Sequence, residues 1–464
     1  LSAQSVTTRI THTASGVFAP GHLGELTQIV PFDMVDAVLA ETAPAAQRRV
    51  RLLPARVTVY FLLAMGFFPE RGYHGVFSAL IAGLGGQGLR TPTPSALRQA
   101  RSRVGPGPLA ALFTLLAGPV AWSRTPGACW RGLRLAAIDG TQVAIPDSDP
   151  NRAWTDKTRT ASHPAAGYPL LRLVTLVECG TRALIAAVFG SPAEGELAYA
   201  ARLTDRLRRG MVLLADRNFD AAPFIADTAK TGADLLIRLK GNRRPPLLGQ
   251  HTDGSIRSVI GGIEVRIIEA LITVTGAAGS RRSEHYRLVT TLLDPQRYPA
   301  ADLIELYHQR WEIESAYLAL KHTLIRGRVL RSQTPAGAEQ ELWALLVTYQ
   351  ILRIAMTDAT SSRPGLAPDR AGFSVALHAA RDQIITARSV IAGTRIDLIG
   401  TIGAQVLSSL LPARRARTCP RTVKRPLSKY AYNKPGQPRA CLKITIETTI
   451  TNAATSPLTR PAPP

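Results

Sequence analysis

Three acidic residues, each set in a distinct local pattern, carry the most chemistry in this sequence. Asp139 follows the apolar run Leu133 to Ile138 and opens Asp-Gly-Thr. Asp216 follows the short apolar run Met211 to Ala215 and opens Asp-Arg-Asn-Phe. Both runs read as strands, and a carboxylate just past the C-terminal end of a strand is held firmly while facing a crevice. Glu314 lies midway along a strongly helical stretch from Pro299 to about Leu324. Two strand ends and a helix that bring their carboxylates together make a hard, oxygen-rich, negative site. Such a site suits Mg²⁺ or Mn²⁺. Two ions about 4 Å apart would activate water or a 3′-hydroxyl and stabilise the leaving oxygen of a phosphodiester. Taken singly, an Asp before Gly is most often a turn residue, so neither aspartate makes the case alone.

The helix adds the weight. Tyr307, Arg310, Glu314 and Lys321 fall within roughly 60° of one another at about 100° per residue, with Trp311 bordering that stripe. Leu306, Ile313, Tyr317, Leu320 and Leu324 form the apolar face expected to pack on the sheet. Glu305 and Glu312 fall on the far side and are assigned to solvent. An ordinary amphipathic helix explains the apolar face. It does not explain both signs of charge lying beside that face rather than opposite it. Arg310 can fork onto a phosphate and Lys321 can meet one as a point charge. Tyr307 can bond a phosphate, and Trp311 can stack on an unpaired base.

The spacing Y-x2-R-x3-E-x6-K resembles the signature of a large group of bacterial insertion-sequence transposases of the DDE class. A chance match in a chain this long is on the order of 1% or less, since each residue type is about 5% of average usage. The Asp139 and Asp216 motifs resemble that group's first and second aspartate motifs, in the same order. The likeness is clear from about Leu133 to Gln350 and looser over the helical N-terminal region. It implies an α/β, ribonuclease H-like mixed-sheet core, interrupted by a β-rich insertion and related to integrases. It implies metal-ligand roles for Asp139, Asp216 and Glu314, and transposon-end phosphate contacts for Arg310 and Lys321 with Tyr307 beside them. The group cuts and rejoins double-stranded DNA at terminal inverted repeats and in target sites, as homodimers on paired ends.

Bulk properties point the same way. The 464 residues hold 56 Lys and Arg against 33 Asp and Glu, a formal net charge of +23, with a pI near 10.7. A surface so basic repels itself unless a polyanion neutralises it, and nucleic acid is the commonest polyanion. The four cysteines, Cys129, Cys179, Cys419 and Cys441, form no C-x-x-C pair. That argues against a zinc ribbon or disulfide framework and fits a reducing cytoplasm; the resemblance to bacterial transposases implies the nucleoid within it. The most apolar stretch, Val57 to Phe68, is too short to span a bilayer and reads as a buried helix, so no membrane partner is expected. No signal-peptide pattern opens the chain, which begins with Leu. No Walker loop is present and Gly83 to Gly88 reads as a plain loop, so no nucleotide cofactor is expected. His308 and His322 are assigned to solvent.

Pattern divides the chain into a helical DNA-binding region at 1–130, a first part of the catalytic core at 131–240, and the β-rich insertion at 241–290. The second part of the core follows at 291–335, then a helical region at 336–411 and a basic, Pro-rich tail at 412–464. Within the first region, a turn at Thr91 to Ser95 opens a short helix bearing Arg98, Gln99, Arg101 and Arg103. Arg98 and Arg101 are its candidate DNA contacts, as in the second helix of a helix-turn-helix; the alternative is a solvated basic face. Cut-and-paste transposition is the leading function. An inactive, domesticated DNA-binding descendant and another nuclease on the same core are the alternatives.

Overall fold

A computed structural model describes residues 21–47, 53–84, 91–155, 167–275, 281–387, 400–412 and 445–450. The basic run from Arg414 to Arg425, the chain start and most of the Gly83 to Gly88 loop lie outside the described residues. The chain divides into two compact units, each described by itself.

The first unit comprises Leu1–Ala215, Lys230–Ala233 and Gln309–Pro412. Its N-terminal helices are α1 (Phe32–Thr42), α2 (Pro44–Gln47), α3 (Ala55–Phe67), α4 (Tyr73–Ile81), α5 (Pro94–Val104) and α6 (Gly107–Leu116). Helix α3 is the apolar stretch singled out above, and it is buried on every side from Val57 to Phe67. Among the described residues no helix is long and apolar enough to cross a membrane. Pro94 in the first turn and the Thr93 hydroxyl, which accepts from the Ala96 N–H at 3.2 Å, start α5. Its buried residues are Leu97, Ala100, Arg101 and Val104.

Strands β1 (Cys129–Trp130), β2 (Leu133–Ala144), β3 (Leu170–Glu178), β4 (Leu184–Gly190) and β5 (Met211–Ala215) follow, with α7 (Asp149–Trp154) after β2 and α8 (Glu196–Ala201) after β4. The order is β4-β3-β2-β5. The first three run antiparallel and β5 runs parallel to β2. This is the mixed, ribonuclease H-like order expected. β5 is buried along its whole length, as a parallel strand covered on both faces must be. One difference concerns β2. The apolar run predicts a strand ending at Ile138, yet β2 continues to Ala144, because β3 pairs with it from Ala136 through Ala144. Only the ladder to β5 stops early, at the couple Ala137–Leu214.

The second unit comprises Asp216–Ala229, Asp234–His308 and Ala413–Pro464. It holds α9 (Ala222–Lys230), β6 (Asp234–Arg238), β7 (Gly249–Gln250), β8 (Ile256–Ile260), β9 (Ile263–Thr275), β10 (Arg281–Thr290), α10 (Ala300–Tyr307) and β11 (Thr445–Ile450). The strands are joined antiparallel in the order β6-β10-β9-β8-β7, with β11 pairing the second half of β9. The β-rich insertion expected from Gly turns and β-branched runs is therefore a meander. Arg266 is its buried anchor: the guanidinium donates to Ser255 Oγ and the Tyr298 carbonyl, each at 2.6 Å, and pairs with Asp253. Asp253 also accepts the Ala300 N–H at 3.0 Å, so one ion pair joins the meander to the start of α10.

The helical stretch from Pro299 to Leu324 is not one continuous helix. After α10 comes a 3₁₀ turn, His308–Arg310, then α11 (Trp311–Leu318) and a π-helical turn, Ala319–Leu324. The last helices are α12 (Pro335–Ser361), α13 (Phe373–Thr386) and α14 (Gly400–Ser408). Helix α12 packs against α3, α6 and α14. At Gly66 of α3 an added Cβ would lie 2.6 Å from Thr348 Oγ1, so that position admits the close crossing of α3 and α12.

Candidate active site

In the first unit, β2 and α11 bring the first aspartate and the glutamate to one cation. Asp139 pairs with Thr175 across the β2–β3 ladder and extends past the last β2–β5 couple. Its own Oδ1 accepts the Gly140 N–H at 2.8 Å. Arg310 then reaches both acids: Nη1 lies 3.7 Å from Asp139 Oδ2 and Nη2 lies 3.3 Å from Glu314 Oε1. The Arg310 side chain is 11% exposed, so little water screens the pair. Its guanidinium carbon also stands 5.5 Å from the ring centroid of the exposed Trp311. Lys321, in the π-helical turn, donates to Thr141 Oγ1 at 3.1 Å, two residues along β2 from Asp139. Partial burial lowers its ammonium pKa from the usual lysine value.

Helix α11 is fastened to β2 by a residue whose role the sequence did not reveal. The Tyr317 hydroxyl donates to the Asp139 backbone carbonyl at 2.5 Å and accepts from Thr175 Oγ1 at 2.9 Å. Burial, then the nearby Asp139 charge, raises this phenol well above the usual tyrosine range. Apolar periodicity placed Tyr317 against the sheet and said nothing of the hydroxyl. Glu196 is a second such residue. A Cβ on Gly140 would collide with Glu196 Oε1, so the glycine after Asp139 leaves room for the carboxylate that Glu196, at the start of α8, brings against β2. On the same helix, Tyr199 fits over Gly190 in the same way, its hydroxyl 2.4 Å from where a Cβ would stand.

Asp216 follows the last residue of β5 directly and opens the second unit. Its carboxylate accepts the Asn218 N–H at 2.7 Å and caps the 3₁₀ turn Arg217–Phe219. The same loop is held from behind by Asp220, which accepts the Lys240 N–H at 2.9 Å and pairs with Arg243 at 2.6 Å.

Other expected residues are placed differently. Tyr307 is buried at the end of α10, in the second unit, with its ring edge-on to Tyr286 at 6.5 Å. The 3₁₀ and π-helical turns break the single stripe drawn at 100° per residue. Arg98, Gln99 and Arg103 of α5 are exposed, but Arg101 is not. Its guanidinium donates to Gln340 Oε1 at 3.0 Å, to Ser332 Oγ at 2.6 Å and to the Gly337 carbonyl at 3.1 Å. Arg101 thus ties α5 to the start of α12 from the interior. Glu312, assigned to solvent from the helical wheel, is buried and paired with Arg182. Glu305, His308 and His322 are exposed as expected.

The donors that surround Arg310 are hard carboxylate oxygens, and a cation already stands between two of them. That is the chemistry a divalent ion requires. Among the described residues, no three His, Cys, Asp or Glu side chains are gathered closely enough to hold an ion as they stand. The positive charge between Asp139 and Glu314 is supplied by Arg310.

Two family models match the chain: the insertion element 4 transposase N-terminal region over residues 20–114, and the transposase DDE domain over residues 130–351. Transposase InsG for insertion sequence element IS4, of Escherichia coli (strain K12), is 28% identical over 412 residues, covering 86% of this chain and 91% of its own length. Putative transposase InsZ of the same organism is 28% identical over 190 residues, covering 41% of this chain and 62% of its own. Among solved structures, a piggyBac transposase synaptic complex with hairpin DNA is 11% identical, covers 90% of each chain and has a TM-score of 0.42.

Proposed function

The chain belongs to the insertion element 4 group of DDE transposases, and from that premise we propose that it performs cut-and-paste transposition. In this reading it hydrolyses phosphodiesters at terminal inverted repeats and then joins the freed 3′-hydroxyl to target DNA. The observation that carries the reading is the cation held in common by Asp139 and Glu314, two acids 175 positions apart in the numbering (314 − 139).

The DDE family is generally dependent on divalent metal. Asp139, Asp216 and Glu314 would hold Mg²⁺ or Mn²⁺, two ions in this proposal, which supply an activated oxygen nucleophile and charge stabilisation at phosphorus. The chain's own residues do the rest. Arg310 turns from the carboxylates to fork onto a phosphate at the transposon end, and Lys321 meets a neighbouring phosphate as a point charge. Trp311, exposed beside Arg310, stacks on an unpaired base. Tyr317 holds the backbone of Asp139 and stays protonated, so the acid does not shift as charge builds. Arg98 and Arg103 on the outer face of α5 meet the DNA backbone; buried Arg101 has a structural part. The net charge of +23 suits double-stranded DNA at both the ends and the target, bound by a homodimer.

The test is strand joining. With Mg²⁺, purified chain and duplexes copied from the DNA that flanks its gene, a transposase joins 3′-hydroxyl ends to a target plasmid. Cutting without joining would mark a plain nuclease, and binding without cutting an inactive descendant. Either would overturn the proposal.

A further inference from the structure

Glu314 can serve only if α11 is turned the right way about its axis, yet α11 has eight residues and is bounded by a 3₁₀ turn and a π-helical turn. Neither neighbour is a stiff continuation that could transmit a rotational setting. Glu312 lies two positions from Glu314, about 200° around the helix. Its Oε2 is 2.6 Å from Arg182 Nε, with side chains only 4% and 12% exposed. Arg182 belongs to the turn between β3 and β4 and has a left-handed backbone, φ 61, that a non-glycine residue adopts at a cost.

That turn is fixed from several sides. The Arg182 N–H donates to the Glu178 carbonyl at 2.8 Å, and Tyr349 of α12 donates its hydroxyl to the Arg182 carbonyl at 2.7 Å. Arg353 Nε donates to the same Tyr349 oxygen at 2.9 Å, and its guanidinium lies 4.8 Å from the ring centroid of Phe373. Glu178, buried at the end of β3, accepts from Thr181 Oγ1 at 2.6 Å and from the Ala121 N–H at 2.9 Å. Sheet and α12 therefore hold the backbone of Arg182 in place, and its guanidinium meets the side of α11 away from Glu314.

We infer that Arg182 and Glu312 are positioning residues for the reaction: their buried ion pair sets the rotation of α11 and so aims Glu314. This rests on the transposase reading of the site. A buried pair is a poor device for stability, because an apolar pair of similar volume is often as stable or more so. It is a good device for direction, because breaking it leaves a charge without its partner.

The experiment compares Glu312→Gln, Arg182→Lys and the double replacement Arg182→Met with Glu312→Leu, in the full chain on pre-bound end duplexes. Single-turnover cleavage, DNA affinity, melting temperature and Mn²⁺ binding by electron paramagnetic resonance are read together. A displacement near 1 Å at a catalytic group costs up to about a hundredfold in rate. Cleavage by Glu312→Gln should therefore fall about ten- to a hundredfold, with DNA affinity held within about twofold. Mn²⁺ binding should weaken. The double apolar variant should melt like the parent and still cleave slowly, and Arg182→Lys should recover part of the rate. Parental cleavage by Glu312→Gln or by the folded double variant overturns the inference and leaves the transposase reading intact. If the double variant does not fold, the Glu312→Gln result decides alone. A parent that cuts nothing fails the reading itself, and the inference with it.

Discussion

The Tyr317 hydroxyl and the backbone carbonyl of Asp139 are joined at 2.5 Å, so helix α11 is bonded to the residue that its own Glu314 must meet. The bond crosses from helix to strand at the point where β2 has outrun β5. It fixes distance, while the Arg182–Glu312 pair on the other side of the helix fixes rotation.

Tyr317→Phe removes that bond and leaves both the Asp139 carbonyl and the Thr175 hydroxyl without it. Each buried group so deprived costs about 1–3 kcal/mol. The melting temperature should fall, and metal-dependent cleavage should drop about tenfold or more, because a small displacement of Asp139 is costly in rate. Because the native phenol stays protonated, parent and variant should keep the same pH profile between pH 6 and pH 9. A changed profile would contradict the donor role.

Arg310→Ala removes the cation between two carboxylates. Without metal, the variant should be less stable than the parent, because the two acids then face each other with less compensation. Added Mn²⁺ should raise its melting temperature more than it raises that of the parent, since binding to the folded state alone stabilises by mass action. Cleavage should still fall, through loss of the phosphate fork. Equal Mn²⁺ shifts in the two proteins, followed by scanning fluorimetry, would contradict the shared-cation account.

The elements that carry the candidate residues were legible in the sequence because those residues are tied to local patterns. Asp139 and Asp216 stand on apolar runs, and Glu314 stands on a strong helical period. The β-rich insertion showed in its glycines and β-branched runs. Arg101 could have been read correctly as well: it shares one face of α5 with Leu97, Ala100 and Val104, a spacing that marks an inward residue. Glu312 could not. A helical wheel separates faces but does not know that Arg182, 130 residues earlier, will be waiting on the polar one. The length of β2 was hidden for a similar reason. Among the named strands its second half pairs with β3 and not with β5, through pairing that no run of apolar residues encodes. The breaks around α11 defeat any fixed angle per residue, and with them the single stripe that included Tyr307.

Asp358 supplies a pH test away from the chemistry. It lies in the last turn of α12, where a negative charge meets the negative end of the helix. Burial pushes its carboxyl up to about 6. The folded-state pKa thus exceeds the unfolded value, so the associated stability is present below about pH 4 and is lost as pH rises through about 6. Asp358→Asn should therefore stabilise the protein at pH 8 by about 1–3 kcal/mol, with the gain vanishing near pH 4. Denaturant melts at the two pH values check this. An equal gain at both would contradict it.

Glu314→Gln keeps the size of the side chain and removes the charge a divalent ion requires. Metal-dependent cleavage of end duplexes by this variant, measured beside its affinity for the same duplexes, is the most direct test. Binding should stay within about threefold of the parent while cleavage falls by about a thousandfold or more. Cleavage at the parental rate would contradict the assignment of Glu314, and with it the site built around Asp139 and Arg310.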